Sequence, residues 1–105
     1  MQNVSVQIIR FVDSSFPGWV ECELFGADGK RHVIRDKVPI FTVEALDAKS
    51  LYPAAGTMQC EVVHRFQDEV GRQLARVSTE WFGVESVDGV TQFTVDANLV
   101  SMLPG

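Results

Sequence analysis

Apolar and polar residues alternate from the start of the chain: Val4, Val6 and Ile8 are interleaved with Asn3, Ser5 and Gln7. A period of two places each set on one face of a β-strand, so residues 3–12 are expected to form a strand with an apolar inner face. The period slips after Ile8, where Ile9 and Phe11 take over. One unpaired residue exchanges the two faces, so a β-bulge or strong coil is expected at residues 8–10. The stretch SSFPG, residues 14–18, has Pro and Gly placed for a turn.

The next run, Trp19–Phe25, is expected to return as Arg31–Lys37, and its register follows from pairing. A two-residue loop at Asp28-Gly29 sets Glu21 against Asp36 and places Arg35 on the apolar face. A three-residue loop, Ala27-Asp28-Gly29, sets Trp19 opposite Lys37, Glu21 opposite Arg35 and Cys22 opposite Ile34. The second is favoured, because Gly29 suits the left-handed third position of such a loop and the opposite-charge pair stabilises the strands. Val20, Cys22 and Leu24 then face inward, and Glu21 and Glu23 face water.

Val38-Pro39 interrupts regular pairing. Residues 43–49 are expected to form a short helix capped by Thr42. A second hairpin pairs residues 58–67 with 72–79 around a four-residue loop, Asp68 to Gly71. That register faces Val62 with Val77, His64 with Ala75 and Cys60 with Thr79. A last strand is expected at residues 90–95, and residues 98–103 suit either a strand or a helical turn. The echo of Cys-Glu before a Gly-ended turn in both hairpins reads as hairpin grammar, not a repeat. The order β-β-β-α-β-β plus a C-terminal strand predicts a mainly β fold. Its form is a small OB-like or SH3-like β-barrel with one short helix between two hairpins, or else a small sandwich. The 105 residues are read as one domain, 1–105.

Composition narrows the chemistry. Hydrophobic residues make up 46% and charged residues 22%, ordinary for a globular domain. No apolar run is long enough to span a membrane, and no signal peptide is visible, so a cytoplasmic protein is expected. The net charge of -5 opposes binding to a phosphate backbone. Two cysteines, Cys22 and Cys60, are too few for a disulfide framework and are read as buried thiols.

Cys22, His32, Cys60 and His64 all fall on inward faces by parity and form the one candidate metal set. Cys60 and His64, four apart on a strand, lie roughly 13 Å apart, too far for one zinc ion. No metal or other cofactor is expected. The sequence contains no GxSxG, HExxH or Gly-rich phosphate loop, and a thiol centred on an apolar strand face is usually inert. An enzyme is not expected.

The candidate surface is made of Trp19, Phe25, Arg31 and Arg35 on the outer face of the first hairpin, with Trp81 and Phe82. Trp and Arg are common anchors of protein interfaces. Trp81 and Phe82 are adjacent, so in a strand one of them points away from the core. Lys30 and Lys37 extend the hairpin patch, but Glu21 and Glu23 sit inside it, so nucleic acid is disfavoured.

The segment PGWVECELFGADGKRHVIRDKVPIF, residues 17–41, resembles a family of small bacterial proteins marked by Pro-Gly-Trp-Val-Glu, a DAxG-like turn and a closing Lys-Val-Pro. Glu61 and Glu85 lie in stretches that share the likeness. The resemblance covers much of the chain and implies no activity and no site residues. The expectation is therefore a non-enzymatic module that binds a protein partner or itself as a homodimer, an immunity-type inhibitor being one version. The alternative is a module for single-stranded nucleic acid or a small ligand.

Overall fold

A computed structural model of the protein describes residues 2–102. Among the described residues the fold is mainly β, with 53% in strands and one short α-helix, and its sheet curls into a half-barrel. The strands are β1 (Gln2–Asp13), β2 (Trp19–Phe25), β3 (Arg31–Lys37), β4 (Ala54–Gln67), β5 (Gln73–Ser78), β6 (Gln92–Asp96) and β7 (Val100–Met102), with helix α1 (Val38–Phe41) between β3 and β4. They are ordered β3-β2-β1-β4-β5-β6, and β7 adds to β1. The short helix between two hairpins is the arrangement expected of a small barrel.

The alternation along β1 buries Val4, Val6 and Ile8. The slip after Ile8 is a bulge: Ile8 faces Cys22 while Arg10 faces Glu21. A second irregularity lies between Phe11 and Asp13. Each bulge adds twist, and β1 pairs with β4 along Gln2 to Ile8 but with β2 along Gln7 to Asp13. The sheet curls about that bent strand. Its two ends are drawn together where the Ala27 N–H donates to the Thr94 carbonyl (2.8 Å) and the Val87 N–H to the Val33 carbonyl (2.8 Å). Val20, Cys22, Leu24, Ile34, Met58, Cys60, Val77, Phe93 and Val95 fill the interior.

The first hairpin has the expected register throughout, with Trp19 against Lys37, Glu21 against Arg35 and Cys22 against Ile34. Gly29 takes φ +84° at the third loop position. The second hairpin departs from expectation. Asp68 N–H donates to the Arg72 carbonyl, so the loop has three residues, Glu69-Val70-Gly71, rather than four. A register shift between Val62 and His64 offsets the missing residue. Val62 still faces Val77, but His64 faces Arg76 instead of Ala75 and points out to solvent.

The helix also lies elsewhere than expected. It occupies Val38–Phe41, and residues 43–49 form a loop. Pro39 suits the first turn of a helix, where its fixed φ helps and its missing N–H costs nothing. Thr42 is extended, and its Oγ1 accepts from the Glu44 N–H (3.1 Å); Asp47 likewise accepts from the Lys49 N–H (2.8 Å). Such local side-chain bonds compete with helix formation. The strand expected at residues 90–95 is β6, which starts at Gln92. The tail combines both expected forms, a 3₁₀ turn at Ala97–Leu99 followed by β7; Leu103 lies outside the described residues.

Candidate functional site

On the outer face of the first hairpin, Trp19, Glu21, Glu23 and Phe25 of β2 oppose Lys37, Arg35, Val33 and Arg31 of β3. Lys37 Nζ lies 5.8 Å from the centroid of the Trp19 ring, within cation–π range. Arg31 Nε meets a Glu23 oxygen at 2.7 Å. Arg35 Nε meets Glu21 Oε1 at 2.8 Å, and Arg10 Nε meets Glu21 Oε2 at 3.0 Å. Glu21 therefore sits between two guanidinium groups. The expectation that it faces water is corrected: it is on the outer face but only 7% exposed, covered by the arginines. The Arg10 hydrogen bonds, aided by Arg35 and opposed by burial, hold its carboxyl at about 2. Arg10 was not among the sequence candidates, although the bulge at residues 8–10 is what turns its side chain onto this face.

Arg31 and Arg35 are thus engaged within the sheet, Trp19 is half-buried, and Phe25 is the more exposed apolar group of this face. Trp81 and Phe82 lie on a different element. They belong to a 3₁₀ turn, Glu80–Phe82, which Gly83 ends in the left-handed region. The turn takes the place of the strand assumed in the parity argument. Phe82 is half-buried, while Trp81 is 86% exposed. The two parts of the surface approach where Arg35 and Asp36 share a small polar cleft with Gly83 and Glu85.

Parity places all four Cys and His residues on inward faces, and the structure corrects this for His64, which the bulge in β4 turns to solvent. Cys22 and Cys60 are buried, His32 is half-buried and meets Phe93 edge-on at 4.9 Å, and His64 is exposed and stacked on Phe66. Burial pushes the Cys22 thiol up to about 12 and the Cys60 thiol up to about 11, and it lowers the His32 pKa. The thiolate is the reactive form. Both cysteines are therefore expected to resist a thiol-specific disulfide reagent at pH 8 in the folded protein and to react within seconds in guanidinium chloride. Rapid labelling of the folded protein would contradict their burial.

Two open grooves lie at the α1 end of the sheet. One, of about 480 Å³, is lined mainly by Phe11, Phe16, Pro17 and Leu46. The other, of about 520 Å³, runs along Val6, Ile40, Val43 and Gly56. Among the described residues, no three Cys, His, Asp or Glu side chains are grouped to hold a metal ion, and no helix is long and apolar enough to cross a membrane. Fold and surface define a small, barrel-like β protein that presents an aromatic turn to solvent. No protein-family model, curated protein or solved structure matches the chain.

Proposed function

We propose that the protein is a non-enzymatic bacterial interaction module that works in the cytoplasm by holding another protein. An inhibitor of the immunity type, blocking a partner enzyme, is its most concrete form; self-association into a homodimer is the variant of the same reading. The observation that carries the proposal is Trp81, 86% exposed on a turn whose backbone is fixed by N–H bonds from Phe82 and Val84 to the carbonyl of the buried Thr79. A large aromatic ring held in solvent by a fixed backbone loses little entropy on docking and contributes much area. Phe25, 48% exposed, offers a second apolar contact.

The test is affinity capture from the native host with a C-terminal tag and mild crosslinking, followed by sedimentation of the purified protein. A single stoichiometric partner, lost on alanine substitution at Trp19, Phe25, Trp81 or Phe82, supports the reading. A chain that stays monomeric and binds no protein at micromolar concentration removes it. A small apolar ligand is the second reading, supported by the groove lined by Phe11, Phe16, Pro17 and Leu46. Single-stranded nucleic acid gains less support, because Arg31 and Arg35 are already paired with Glu23 and Glu21. Oligonucleotide titration at low salt, read by Trp19 fluorescence, checks it.

A further inference from the structure

The charge of this protein is unevenly placed along the chain. After Arg76 the sequence contains no lysine, arginine or histidine, yet it carries Glu80, Glu85, Asp88 and Asp96. The ion pairs of the described residues engage Glu21, Glu23 and Asp68, and none engages Glu80, Glu85 or Asp88. Tertiary structure gathers part of this excess around Gly83, which ends the turn that carries the exposed indole. Glu80 opens the turn that carries Trp81. Glu80 and Glu85 face a common cleft with Gly83 and Thr91, and the adjoining cleft beside Gly83 and Glu85 adds Asp36. Arg35 borders that second cleft, but its Nε is directed to Glu21 at 2.8 Å.

An indole ring beside uncompensated carboxylates has a specific complement. The ring face attracts a cation through its quadrupole, the carboxylates accept charge-assisted hydrogen bonds, and an arginine stem covers aromatic surface while its head stays paired. A neutral or acidic partner gains none of these and meets like-charge repulsion. We infer that the Trp81 turn docks onto a basic protein surface, seating an arginine or lysine of the partner between Glu80 and Glu85 with the Trp81 ring against it. This inference rests on the protein-binding reading above and assigns its face and the chemistry of its partner. The exposure of Trp81, Glu80 and Glu85 makes all three replaceable without disturbing the core.

The probe is a nona-arginine peptide, with nona-glutamate as the opposite-charge control, titrated into the full chain at low salt. Trp19→Phe leaves Trp81 as the one indole, since the chain has two tryptophans, and calorimetry on the unmodified protein gives an independent reading. Saturable binding of nona-arginine that shifts Trp81 emission is expected. Trp81→Ala, or Glu80→Gln with Glu85→Gln, is expected to weaken it about tenfold, as for charge pairs at an interface. Glu44→Gln with Glu61→Gln removes equal charge from exposed sites elsewhere and is expected to change it less than about twofold, the size of a screened long-range effect. No binding, or equal weakening by both glutamine pairs, overturns the inference. Capture of one host protein equally well by the unmodified chain and by Trp81→Ala would overturn it too, while leaving the protein-binding reading intact. Capture of no host protein would remove that reading itself.

Discussion

Phe41→Ala is expected to destabilise the protein by about 3–5 kcal/mol, the usual cost of emptying a buried phenylalanine site. Phe41 is 2% exposed and is the largest of the fully buried side chains. It ends α1, which lies against β4, and the approach is close. A Cβ placed on Gly56 of β4 would meet Ile8 Cδ1 at 2.9 Å and the Phe41 carbonyl oxygen at 3.2 Å. The backbone of α1 is thus already held against β4, which leaves little room for the site to collapse, so the loss should fall near the full value. Phe41→Leu keeps the site apolar and mostly filled, and should cost clearly less. Urea denaturation followed by far-UV circular dichroism measures both. A loss below about 1 kcal/mol for Phe41→Ala would show that α1 is not part of the core.

Glu21→Gln is expected to have the second largest effect, and its size should depend on pH. At neutral pH it removes the anion from between Arg10 and Arg35 and leaves two guanidinium groups facing one neutral amide. A fully buried broken pair costs several kcal/mol. Here both arginine side chains are more than half exposed, at 58% and 52%, and solvent screens them, so roughly 1–2 kcal/mol is expected. The carboxyl titrates at about 2 in the fold against an ordinary 4.5. A depressed folded value means the stabilisation is complete above the ordinary value and fades as pH falls from there through the folded one. The stability difference between the unmodified protein and Glu21→Gln should therefore be largest at pH 7 and should narrow as pH falls below about 4.5 toward 2. Hydrogen bonds from Ser15 and Arg72 also lower the Asp13 and Asp68 pKa values, but both carboxylates are retained in the variant, so the comparison isolates Glu21. A difference that stays constant from pH 7 to pH 2 would mean that packing, not charge, holds this residue.

The second hairpin shows how a sequence argument can be right at one position and wrong at the next. A four-residue loop without a bulge and a three-residue loop with a bulge give the same partner to Val62, because the extra loop residue and the extra strand residue cancel. They differ between the loop and the bulge, and there His64 changes face. Nothing in the alternation of residues 62–66 separates the two, since this end of β4 is largely exposed and carries little burial signal. The first hairpin was legible because both of its faces carry information: an apolar row of Val20, Cys22 and Leu24 inside and a row of opposite charges outside.

The candidate surface was legible in the same partial way. Trp19, Phe25, Arg31 and Arg35 share one face because strand parity dictates it. The pairing of those arginines with Glu21 and Glu23 follows from the hairpin register, but the third strand that brings Arg10 to Glu21 does not. The charge asymmetry after Arg76 is visible in the sequence. Its gathering of Glu80, Glu85 and Asp36 around Gly83 depends on β3 meeting the segment that follows β5.

By itself the sequence determined the β character, the bulge in β1, the first hairpin with its register, and the burial of both cysteines. These follow from local periodicity, turn chemistry and pairs that oppose one another across a short loop. Local chemistry at Pro39, Thr42 and Asp47 set the position of the helix, whereas tertiary structure alone decided the offset in the second hairpin, the cover over Glu21 and the gathering of Glu80, Glu85 and Asp36 around Gly83. Each of the latter depends on residues far apart in the chain, and the free energy that selects among local alternatives comes from packing that no local window contains.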